Sequence, residues 1–168
     1  MIKSFSVSAF ILLCFSLLET AILSNISILP AVPDFALLCV LYFSLINGRT
    51  FGESTGFVSG LFLDFLSGAP FGFNCILRTL IGYLSGWLGG TVNYLGFFMP
   101  VLIGFCGTFA KVFIIWILSL FYTSIIKYQI FSIMFLFELV ANSLLAPFVF
   151  KFLNLFRTSL NIKSEDIE

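Results

Sequence analysis

Histidine is absent from this 168-residue chain, charged residues make up only 10% of it, and its four cysteines stand far apart. Without histidine there can be no histidine-ligated metal site and no imidazole proton relay. Eight Lys and Arg are balanced by eight Asp and Glu, giving a formal charge of zero. No basic run is long enough to hold nucleic acid. Cys14, Cys39, Cys75 and Cys106 each sit alone in an apolar run, without the paired spacing of a zinc site or a disulfide framework. They read as small buried hydrophobes. No nucleophile–base triad and no nucleotide-binding loop is present, so the sequence points to no enzyme and to no cofactor.

What the chain has in excess is apolar surface. Sixty per cent of its residues are hydrophobic and the mean hydropathy is +1.15. A soluble domain does not have that composition, so lipid must be the solvent. A bilayer-spanning helix needs about 20 mainly apolar residues. On that measure residues 1–156 read as a single all-α transmembrane domain. Six helices at about 5–24, 34–46, 51–66, 71–92, 97–121 and 129–152 form one compact bundle, with a polar cytoplasmic tail at 157–168. The start could pass for a secretion signal, but its apolar run is long and Glu19 interrupts it late, so it reads as a retained first helix. Pro30 and Pro33 stop that helix, and Asp34 is a good N-cap for the next. With the N-terminus inside, the inner segments hold Lys3, Arg49, Lys151, Arg157 and Lys163 against Lys127 outside. This asymmetry predicts a multi-pass protein of the cytoplasmic membrane with both termini cytoplasmic.

Glycine is not spread evenly. Gly48, Gly52, Gly56 and Gly60 recur every fourth residue, Asp64 takes the next place, and Gly68 and Gly72 follow. Asn74, Arg78, Gly82, Gly86 and Gly90 repeat the spacing. Four residues is close to one helical turn, so each series lays a stripe of small residues along one side of a helix, where another backbone can approach closely. If the chain turns back around 67–71, the stripes face each other as a hairpin. Close packing within the chain is the plainer reading, and a dimer face or a moving gate is the alternative.

The same placement gives each intramembrane charge a partner. Asp64 and Arg78 fall near one end of the hairpin, with Glu19 a second candidate for Arg78. Lys111 and Glu138 both fall near mid-membrane on neighbouring helices. A charge at that depth costs at least about 3 kcal/mol unless paired or hydrated. Ion pairs that fix helix partners and register are the expected role, and holding a substrate or passing protons is the alternative.

The order of motifs resembles a known family. Pro33-Asp34 opens an apolar helix. The ladder Gly52, Gly56-Phe57 and Gly60-Leu61 then leads to Asp64, to Ser67-Gly68-Ala69-Pro70-Phe71-Gly72 and to Gly82-Tyr83. This is similar to MreD, the rod shape-determining membrane protein family, and the specific likeness runs from Pro33 to Tyr83. The resemblance implies a non-enzymatic scaffold of the bacterial elongation machinery in the inner membrane. Its expected partners are membrane lipid, an MreC-like single-span periplasmic protein and, directly or indirectly, MreB, RodA and a penicillin-binding protein. Lateral peptidoglycan synthesis and rod shape are the implied outcome. It also implies a fold like that of the substrate-binding subunits of energy-coupling-factor vitamin transporters, whose function is the alternative, with an outward pocket near Asp34 and Asp64. The short outer loops, poor in polar side chains, favour the scaffold over a vitamin binder.

Overall fold

Thirteen residues with no polar face, Phe35–Asn47, form the helix around which the others are arranged. In a computed structural model, which describes residues 2–26, 30–68, 70–92, 94, 96–121 and 132–162, this helix (α2) is buried from Ala36 to Leu45. A helix apolar on every side is stable only when neighbours cover every side. Here α1 (Ile2–Leu17), α3 (Arg49–Ser67), α4 (Phe73–Trp87), α5 (Phe98–Phe121) and α6 (Ile133–Asn154) surround it. A last turn, α7 (Arg157–Leu160), folds back beneath α1.

Three helical stretches are long and apolar enough to cross a membrane: Ile2–Asn25, Phe98–Ser119 and Ile133–Asn154. The described residues are therefore an all-α bundle of a multi-pass membrane protein. The shorter members have local reasons for their length. Asp34 caps α2 by accepting from the Leu37 amide, and Gly48, at φ +86°, ends α2 and turns the chain into α3. At 13 residues α2 is about 20 Å long, less than the roughly 30 Å of hydrocarbon in a bilayer. With its other end at one surface, its charged cap is drawn inward.

The stretch expected as one helix at 5–24 changes character near its end. It is α-helical to Leu17, π-helical over Leu18–Ile22 and 3₁₀ over Leu23–Asn25. Ser8, Leu12 and Ser16 are buried at four-residue steps, and Glu19 in the π turn is buried as well.

The glycine stripes of α3 and α4 pack in strict antiparallel order. A Cβ on Gly52 would fall on the Gly82 carbonyl, one on Gly56 on the Arg78 carbonyl, one on Gly60 on the Asn74 carbonyl, and one on Gly86 on the Arg49 backbone. Two members of the expected interface have a different job. Gly48 and Gly90 meet nothing within 4 Å, and each takes a positive φ, +86° and +82°, that other residues rarely adopt. Gly48 ends α2 and Gly90 lies in the turn beyond α4, so neither packs the interface.

The tail expected from 157 is not frayed in its first part. Leu160 is fully buried, and Asn47 holds the segment by donating to the Leu160 carbonyl and accepting from the Ile162 amide. Two of the cysteines, Cys14 and Cys106, are exposed rather than buried, as is usual for side chains that face lipid. Ala69, Lys127, the expected start of the sixth helix at 129, and the tail 163–168 lie outside the described residues.

Candidate functional site

Five ionisable side chains from five separate parts of the fold line or adjoin one crevice. Glu19 comes from the π turn, Asp34 from the cap of α2, Arg78 from α4, Lys111 from α5 and Glu138 from α6. Asp34 is the hub. Its Oδ1 accepts from Arg78 Nη2 at 2.6 Å and from the Leu37 amide at 2.8 Å, and its Oδ2 accepts from Lys111 Nζ at 2.8 Å. Lys111 also donates to Glu138 Oε1 at 2.6 Å. Glu19 Oε1 accepts from the Ala36 amide at 2.7 Å. The N-terminus of α2 thus meets two carboxylates, which suits both its free amides and its positive end.

Neutral groups complete the network. Arg78 Nη1 donates to Ser59 Oγ at 2.9 Å. Asn142 accepts from the Asp34 amide at 2.8 Å and donates to Thr108 Oγ1 at 3.0 Å. Arg78 is 1% exposed and Asp34 5% exposed, so the hub pair is shielded from solvent and lipid alike. In such surroundings a charge is tolerable only with its opposite in contact, and here each cation touches at least one carboxylate.

The expected pairing of Asp64 with Arg78 is not what forms. On α3 and α4 Arg78 stands opposite Gly56, two turns or about 12 Å along the helix from Asp64. Asp64 instead closes the α3–α4 turn. Its carboxylate accepts from the Gly72 amide at 2.9 Å, the Asn74 amide at 3.1 Å, the Asn74 side chain at 2.9 Å and the Cys75 amide at 3.4 Å. Gly68 and Gly72 flank that turn with φ of +68° and +89°, and the Phe73 amide donates to the Pro70 carbonyl. Asp64 thus caps the start of α4 from the end of α3, and Pro33 lines the crevice beside Asp34. Glu19, the second candidate for Arg78, shares the crevice but bonds the backbone of α2.

Ser59, Thr108 and Asn142 carry no charge and were not read as part of any site. Spacing alone could have found two of them. Thr108 lies three residues before Lys111 and Asn142 four after Glu138, which puts each on the same helix face as its charge.

Among the described residues no group of three or more His, Cys, Asp or Glu is placed to hold a metal ion. The arrangement binds helices to one another through their charges, and it brings no nucleophile up to a base. Fold and site together define a helical membrane bundle locked by a buried ionic hub. A family model for the rod shape-determining protein MreD matches residues 1–156, and the chain belongs to that family, whose members are non-enzymatic components of the elongation machinery. The chain is also 29% identical over 97 residues to the sensor protein LytS of Oceanobacillus iheyensis, a match that covers 51% of this chain and 17% of that protein. The chain thus spans less than a fifth of that relative. No solved structure matches.

Proposed function

We propose that this chain is a membrane platform of the elongation machinery that crosses the bilayer six times, with both termini cytoplasmic, and binds an MreC-like single-span protein by helix packing. Through that protein it would act, directly or indirectly, with MreB, RodA and a penicillin-binding protein in lateral peptidoglycan synthesis. Family membership supports the role. The observation that carries the mode of binding is an open apolar groove of about 700 Å³ between α1 and α6. Val7 to Leu18 form one wall, a length of about 16 Å of helix, and Leu145 to Phe156 form the other. Phe10 and Phe148 on its two sides are 66% and 67% exposed. A single apolar helix could lie along such a groove and gain dispersion contacts that lipid tails fill less well.

The charge hub and the glycine contacts serve this reading as the means by which the platform keeps its shape. A photo-crosslinking residue at Phe10 or Phe148, in native membranes, tests it. Capture of a single-span protein with a periplasmic coiled coil is the expected outcome. Capture of an energising transmembrane subunit with its ATPases would favour the transporter reading and overturn the scaffold.

A further inference from the structure

Beside the ionic hub lies a crevice of about 210 Å³, at the end of the bundle where the chain passes from α1 to α2. Its charged lining is Glu19, Asp34, Arg78 and Lys111, and its rim includes Thr20, Ser24 and Val32. We propose that this crevice binds a compact zwitterionic group, an ammonium linked to an oxyanion, of the kind a phosphoethanolamine headgroup presents.

The argument rests on which atoms remain uncommitted. Arg78 Nε is buried and has no hydrogen-bond partner, although an unsatisfied buried donor is costly. Lys111 uses two of its three N–H groups, one on Asp34 and one on Glu138. Glu19 uses Oε1 on the Ala36 amide, and Oε2 makes no protein hydrogen bond among the described residues. The crevice therefore offers a spare Lys111 N–H as donor and Glu19 Oε2 as acceptor. The charges in contact are balanced, Asp34 and Glu138 against Arg78 and Lys111. A ligand of large net charge would enter a low-dielectric site without compensation, whereas a zwitterion matches both the donor and the acceptor.

Size agrees with chemistry. The crevice, about 210 Å³, has room for a small headgroup. Ile22, on the same π turn as Glu19, is an exposed apolar residue against which an acyl chain could lie. The proposal does not depend on what occupies the groove between α1 and α6.

The test uses the full chain in nanodiscs of phosphatidylcholine, whose quaternary ammonium has no N–H to donate to Glu19, with and without phosphatidylethanolamine. Thermal unfolding and native mass spectrometry are the readouts. Phosphatidylethanolamine should raise Tm by at least about 3 °C and remain bound, and both effects should disappear in Glu19→Gln, which keeps the bond to Ala36 but replaces the second oxygen by a donor. If the ligand is free rather than lipid-borne, soluble phosphoethanolamine added to phosphatidylcholine discs should give the same rise. Val32→Trp and Ser24→Trp fill the crevice from its rim and leave the hub intact. The proposal is overturned if neither zwitterion raises Tm, or if the rise survives in Glu19→Gln or in a rim variant that folds.

Discussion

Two aspartates in this chain are buried to the same degree, Asp34 at 5% and Asp64 at 1% exposure, yet they do different work. Asp34 neutralises two cations from two other helices, whereas Asp64 accepts bonds mostly from amides of its own turn. Replacement of Asp34 by Asn leaves Arg78 without a countercharge in contact, and Lys111 with Glu138 alone. Removal of one partner from a buried pair costs about 3–5 kcal/mol. Asp64→Asn keeps one acceptor oxygen at the turn and should cost about 1–2 kcal/mol, the scale of a lost cap. Denaturant unfolding in detergent micelles measures both, and an Asp64 variant weaker than the Asp34 variant would contradict the hub. From sequence, Asp34 was legible as a cap, which it is, but its second role was not. That role depends on α2 being short and central, and no feature of Pro33-Asp34 itself reports which helix ends up in the middle. Lys111 and Glu138 were legible because two charges at equal depth on neighbouring helices have few other places to go. The pairing of Arg78 was misassigned because proximity was judged from the turn, whereas the glycine contacts fix the register.

Between elements, the closest approach is that of α3 to α4, and it leaves no space for a single methyl group. At Gly56 and Gly60 the atoms in the way are carbonyls and Cα atoms of α4, which cannot swing aside as a side chain would. Gly56→Ala or Gly60→Ala should therefore push the helices apart and cost about 1–3 kcal/mol each. Gly96→Ala is the control, since nothing lies within 4 Å and its φ is not positive. It should change stability by less than about 0.5 kcal/mol. Equal effects at Gly60 and Gly96, measured by thermal unfolding in micelles, would show that the stripe does not set the helix distance. The four-residue period makes this hairpin readable in the sequence, because glycine recurs at that spacing on both helices. The same period misled at its ends. Gly48 and Gly90 continue the count but fall where the helices stop, and a positive φ leaves no mark in sequence spacing that separates it from packing. The π turn at Leu18–Ile22 was also invisible, since it inserts a register shift into a run whose hydropathy does not change.

At the scale of the molecule, the length of α2 couples the hub to the membrane. A helix about 20 Å long cannot place both ends at opposite surfaces, so Asn47 and Asp34 cannot both be interfacial. Arg49 lies over the exposed Trp87 ring at 5.0 Å, and Arg157 lies 5.8 Å from the Tyr94 ring, both at the Asn47 end. Aromatic residues gather at membrane surfaces, which supports the reading that the Asn47 end is interfacial and Asp34 lies inside. In the proposed orientation the excess of Lys and Arg places that end on the cytoplasmic side. With the four native cysteines replaced by alanine, Ser24→Cys should react with a membrane-impermeant maleimide in intact cells. Lys151→Cys, at the exposed end of α6, should react only after permeabilisation. Labelling of Lys151→Cys in intact cells would mean an odd number of crossings and would reject the six-span arrangement. Reversed labelling at both sites would invert the bundle, and the crevice beside Glu19 and Asp34 would then open toward the cytoplasm.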